Sequence, residues 1–159
     1  MKTTIAGVAF GVFAASIFLF QSHVATAETD ACSLVTAAQV SAAVGFQVGE
    51  GKHVTSNFLK TCTWSATAGG GVQTATLNLQ TGAFFDGSKK TAAAMTAAGA
   101  TVKSAGVGDD SYFYVRGTQV DLWVKKGGNA CKITIYKQIP AEQKQAIELS
   151  LAKQVLAKL

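Results

Sequence analysis

Three alternating runs near the C-terminus restrict the fold more than any other feature. Ser111 to Arg116 is rich in aromatic residues. Thr118 to Lys126 places Val120, Leu122 and Val124 on one side, and Ala130 to Lys137 does the same with Cys131, Ile133 and Ile135. Successive side chains of a strand point to opposite faces, so each run predicts a strand with one buried face. Gly127-Gly128-Asn129 separates the last two runs. Glycine and asparagine adopt the positive φ of a tight hairpin turn, so these two strands are expected to pair antiparallel.

The same period recurs upstream. Lys60 to Ala66 alternates, with Cys62, Trp64 and Ala66 on one side. Val72 to Gln80 alternates with Ala75, Leu77 and Leu79 inward, and Gly69-Gly70-Gly71 forms the turn between them. Thr101 to Ser104 is a short candidate strand. Three segments read as helices. Thr36 caps an Ala/Val segment ending at Gly45, residues 84–98 are Ala-rich up to Gly99, and Pro140 opens a last helix with Ile147, Leu151, Val155 and Leu159 in one row. Glu148 projects toward the middle of that stripe and is expected at the sheet edge, reaching solvent. Residues 46–58 read as irregular. Strands and helices do not alternate regularly. The predicted class is therefore α+β, an antiparallel β-sheet covered by helices in the order α-β-β-α-β-β-β-α.

The N-terminus carries a different signal. Lys2 is followed by an uncharged, apolar stretch from Ile5 to Phe20, and Ala25-Thr26-Ala27 fits the small-x-small cleavage rule. These are the three parts of a secretory signal, with cleavage expected after Ala27. The stretch is short for the roughly 20 residues of a membrane span, so no stable span is expected after cleavage. Residues 28–159 then form a single α+β domain in a periplasmic or secreted location. A lipid anchor is disfavoured because Thr29-Asp30-Ala31 before Cys32 puts a charge where such signals want small or apolar residues.

Three cysteines in an oxidising compartment allow one internal bridge. Cys131 lies on the strand face of Ile133 and Ile135 and reads as a buried, inert thiol. That leaves Cys32 and Cys62 as the expected disulfide. A redox role for Cys131 would need a CxxC partner or an adjacent basic group on its own face, and the sequence supplies neither.

Catalytic constellations are scarce. His53 is the one histidine outside the signal, and no GxSxG elbow is present. One histidine with dispersed cysteines is not a zinc set. Asp109 and Asp110 lack the further spaced oxygens of a calcium loop and read as a turn in which Asp side chains bond their own backbone. No cofactor motif is present. The formal charge of +5 is spread over isolated lysines and pairs, unlike the basic face of a nucleic-acid binder. The remaining candidates are aromatic. Trp123 faces away from Val120, Leu122 and Val124. Together with Tyr112 and Tyr114 it makes either a second core beneath a helix or, if that face is open, a binding surface.

Several residues occur in a familiar order: Cys32-Ser33-Leu34-Val35-Thr36, Cys62-Thr63-Trp64 and Gly106-Val107-Gly108-Asp109-Asp110-Ser111-Tyr112. The chain resembles a group of small exported bacterial envelope proteins, many of them lipoproteins. Several of these are similar to the PsbP-like α/β sandwich of photosystem extrinsic proteins. The resemblance covers roughly residues 31–115. It implies the Cys32–Cys62 bridge and a sheet between helices, and it implies no activity. The chain departs from the group in lacking a lipid-attachment cysteine and in carrying Cys131. The functional expectation is an exported, non-enzymatic accessory or binding domain of the envelope, whose partner is an envelope protein or a small apolar ligand. The alternative is an envelope hydrolase or hydrolase inhibitor using His53.

Overall fold

The computed structural model describes residues 28–55, 60–67 and 71–159; the expected signal segment lies outside these residues. The elements in chain order are α1 (Ala31–Leu34), α2 (Ala37–Val44), β1 (Lys52–His53), β2 (Thr61–Ser65), β3 (Thr74–Thr81) and α3 (Gly82–Ala94), which runs on into a 3-10 turn (Met95–Ala98). They continue with β4 (Thr101–Ser104), β5 (Asp110–Arg116), β6 (Gln119–Lys126), β7 (Asn129–Tyr136) and α4 (Ala141–Leu156). The strands form one antiparallel sheet of seven, in the order β1-β2-β3-β7-β6-β5-β4. The α+β class is as expected. The order differs from the expected one by an additional short helix, α1, and an additional strand, β1, while β4 is the short candidate strand Thr101 to Ser104, which the expected order left out.

The register explains the two faces. Cys62, Leu77, Ile133, Leu122 and Phe113 lie side by side across five strands. All are buried and belong to the main core, which α1, α2 and α4 cover. On the opposite face the rows are mixed. One runs Tyr112, Trp123, Lys132, Asn78, Thr61, and the next runs Tyr114, Asp121, Thr134, Thr76, Thr63. Only α3 packs there, over β3, β7 and β6. The sheet is thus apolar throughout on one side and apolar on the other only near β5 and β6.

Caps fix where the helices begin. Thr36 Oγ1 accepts from the Gln39 N–H at 3.2 Å while Gln39 Oε1 accepts from the Thr36 N–H at 2.9 Å, a reciprocal capping box. Asp30 Oδ1 accepts from the Cys32 N–H at 2.7 Å and starts α1. Helix α4 buries Lys144, Glu148, Leu151, Ala152 and Val155, the i, i+4, i+7 pattern of a helix lying on a sheet.

Glu148 is not at the sheet edge. It is fully buried, and its Oε1 accepts from the Ile135 N–H at 3.1 Å. The direction given by helical periodicity is correct. The expectation that a carboxylate would reach solvent fails because α4 crosses β6 and β7, in the middle of the sheet.

Gly108 explains part of the Gly106-Val107-Gly108-Asp109 sequence. Its φ is +66°, and a Cβ there would lie 2.5 Å from the Lys125 carbonyl oxygen. The adjacent Asp109 N–H donates to that same oxygen at 2.9 Å. Gly108→Ala is expected to lower stability by about 2 kcal/mol through left-handed strain and the clash. Urea unfolding measures this. A variant as stable as the parent would show that the turn relaxes freely.

Candidate functional site

The candidate site lies between α3 and the β5–β6 end of the sheet. Thr81 Oγ1 accepts from the Phe84 N–H at 3.2 Å and caps α3. Consecutive residues diverge by about 100° around a helix, so Phe84 and Phe85 take different roles. Phe85 is fully buried and packs on Tyr112, ring centroids 5.4 Å apart. Phe84 stays 52% exposed and stacks on Trp123 at 6.1 Å, with 26° between the planes. Tyr112 and Trp123 are cross-strand partners, and their stacked rings are nearly parallel, with 8° between the planes and centroids 6.1 Å apart.

Between these rings and α3 is an open cleft of about 570 Å³. Tyr112, Tyr114, Asp121 and Trp123 form its floor, and Phe84, Gly87, Thr91 and Met95 form its helical wall. The structure brings together the three aromatic residues singled out in the sequence. Tyr112 is buried, whereas Tyr114 and Trp123 are half-buried. Helix α3 therefore covers this face only in part, an outcome between the covered and the open alternatives.

Two ion pairs lash α3 to the sheet. Lys89 Nζ lies 2.7 Å from both carboxylate oxygens of Asp110, and Lys125 Nζ lies 2.9 Å from both of Asp86. The Lys89 hydrogen bond holds the Asp110 carboxyl below its usual range, against a smaller opposing effect of burial. Asp109 Oδ2 accepts from the Gly127 N–H at 2.6 Å. The expectation that both aspartates bond their own turn is thus corrected: each reaches a different neighbouring element.

No family model, curated protein or solved structure matches this chain.

The polar groups of the cleft are few. Asp121 is buried, and its carboxylate accepts from the Thr134 hydroxyl and, at 2.7 Å, from the Gln119 side-chain amide. The Tyr112 hydroxyl is buried and has no hydrogen-bond partner among the described residues. Burial pushes its ionisation up, and the Asp121 and Asp110 charges add to this, so the phenol stays neutral. Lys132 Nζ sits 5.5 Å over the Trp123 ring. Sequence reasoning missed Met95 and Asp121 as cleft residues, and it read Phe84-Phe85 as a pair pointing only partly inward without placing Phe84 in the binding surface. The Phe84-Phe85 pair was the available signal, because two adjacent aromatics on a helix cannot both face the core.

A second cluster lies at the far edge of the sheet. His53 is held in β1 rather than in an irregular loop. Its Nδ1 is 3.1 Å from the Thr61 carbonyl oxygen and 3.7 Å from Cys32 Sγ, and its Nε2 is 3.3 Å from Asp30 Oδ1. Asp30, Cys32 and His53 together have the donor types of a metal site. However, Cys32 is bonded to Cys62, and a disulfide sulfur offers neither the thiolate that binds zinc nor a nucleophile. Two remaining donors fall short of a zinc set. Cys131 is free and buried, with its thiol pushed up to about 12 by desolvation, and so carries no thiolate at neutral pH.

Proposed function

We propose that this chain is an exported, non-enzymatic binding domain of the cell envelope that holds a small apolar ligand between α3 and strands β5–β6. The observation that carries this reading is the aromatic cleft floored by Tyr112, Tyr114 and Trp123, whose buried Tyr112 hydroxyl lacks a partner among the described residues. Ligand sites in general are mostly apolar concavities of about 300–1,000 Å³ with few convergent polar groups. Export is supported by Lys2, the apolar stretch to Phe20 and Ala25-Thr26-Ala27, and it is consistent with the disulfide. Among the described residues, no helix is long and apolar enough to cross a membrane. Helices on both sheet faces and the Cys32, Cys62-Thr63-Trp64 and Gly106 to Tyr112 motifs support a relationship to the exported envelope group and its PsbP-like sandwich.

Gly87 provides the test. It lines the cleft, and a Cβ there meets nothing within 4 Å. Gly87→Phe is therefore expected to fill the cleft and leave the fold intact, with a helix-propensity gain of a few tenths of a kcal/mol. Native mass spectrometry of the protein purified from its own host should show extra non-covalent mass in the parent and none in the variant. Extra mass that survives Gly87→Phe would move the ligand elsewhere. A bare parent that instead co-purifies with an envelope protein would replace the ligand reading with a protein partner.

A further inference from the structure

We propose that the cleft selects an uncharged ring compound bearing a hydroxyl group, with Tyr112 as its polar anchor. This rests on the cleft being the binding site and goes on to specify what it takes.

The walls set the body of the ligand. Phe84, Tyr112, Tyr114 and Trp123 all line the cleft, and Phe84 is still half exposed beside Trp123; flat rings pack offset against such aromatic walls better than flexible chains do. The floor sets its polar group. Tyr112 and Asp121 are diagonal neighbours on one sheet face, because Tyr112 pairs with Trp123 and Tyr114 with Asp121. Both line the cleft. The phenol has a proton to donate and no acceptor among the described residues. The Asp121 carboxylate, already accepting from Thr134 and Gln119, has lone pairs left. A hydroxyl is the small group that accepts from the first and donates to the second at once.

Charge argues against ionised ligands. A carboxylate would face the Asp121 carboxylate. A ligand cation would seek the Trp123 face, which Lys132 Nζ already occupies at 5.5 Å. The lysines that tie α3 to the sheet, Lys89 and Lys125, are matched by Asp110 and Asp86.

The unpartnered hydroxyl also explains why a tyrosine stands here. A buried donor without a partner destabilises the ligand-free protein, and phenylalanine would fill the same space without that cost. Position 112 trades stability for recognition.

The test uses the full disulfide-bonded protein, with 2-naphthol, naphthalene and 2-naphthoate as probes in calorimetric titration. Naphthol should bind roughly tenfold tighter than naphthalene, the effect of one good hydrogen bond, and tighter than naphthoate. In Tyr112→Phe, which leaves only the Asp121 contact, the naphthol-to-naphthalene preference should fall severalfold while the ligand-free melting temperature rises by about 4 °C. A tyrosine that serves only to pack would leave the preference intact. A preserved preference, or naphthoate as the tightest probe, overturns the proposal, and Gly87→Phe then separates the two levels of inference. If it abolishes binding of all probes, the cleft stands and only the ligand class fails. If it leaves binding unchanged, or if no probe binds the parent, the cleft itself is not the site.

Discussion

Replacing Cys32 and Cys62 together by alanine will lower stability by about 3–4 kcal/mol, the loop-closure entropy of a 30-residue separation. That is a large share of the roughly 5–15 kcal/mol that holds a domain of this size. The bridge ties α1 to β2. Helix α1 is only four residues long, far too short to persist by itself. Its anchors are the Asp30 cap, the burial of Ala31 and Leu34, and the disulfide. Gly51 shows how closely the chain is drawn in at this point, since a Cβ there would lie 2.5 Å from Cys62 Sγ and 2.7 Å from Trp64 Nε1. In the alanine variant, urea unfolding should show the lower midpoint, and hydrogen exchange should show α1 and β1 opening first. The cleft lies across the sheet on β5 and β6, so ligand affinity below the new midpoint should match the parent. A stability loss under about 1 kcal/mol would mean that the reduced unfolded chain is already compact around this loop.

Much of this architecture was legible in the sequence because period-2 alternation is unambiguous where one face is fully apolar. Leu77, Ile133 and Leu122 face the main core, and every strand that carries such residues was found. Legibility failed where tertiary context replaced pattern. Lys52 and His53 make a strand of two residues with no alternation to detect. They are held by pairing with Cys62 and Thr63, an arrangement that also brings His53 beside Asp30 and Cys32. The cleft was half legible. Alternation placed Tyr112, Tyr114 and Trp123 on one face, but only the docking of α3 over β7 and β6 decides that this face is roofed at one end and open at the other. Asp121 was invisible for the same reason, since a single acid in an apolar strand is ordinarily read as solvated. Its burial follows from Thr134 and Gln119 reaching it from neighbouring positions.

Among the described residues, Glu148 is expected to give the largest pH dependence of stability. The group is fully buried, with the Ile135 N–H on Oε1 and no partner for Oε2 among the described residues. Burial pushes its ionisation up to about 9. The Ile135 hydrogen bond and the Lys144 charge pull the other way, and the Asp121 charge adds to the rise. Lys144 Nζ is engaged by the Thr118 carbonyl oxygen at 2.6 Å and does not form an ion pair with Glu148. The folded state thus keeps the proton up to about pH 9, whereas the unfolded chain releases it near 4.5. Folding takes up a proton throughout that window, so stability is full below pH 4.5 and falls as pH rises, by at most about 1.4 kcal/mol per unit. At pH 7 the accumulated loss is on the order of 3 kcal/mol. Glu148→Gln keeps the acceptor for Ile135 and removes the titration. The variant should match the parent at pH 4.5, exceed it by that order at pH 7, and show no such slope between. Parallel stability profiles for the two proteins from pH 5 to 8 would place the ionised carboxylate in the folded state. The agreement at pH 4.5 is the control, because there both side chains are largely neutral and occupy the same space beneath α4.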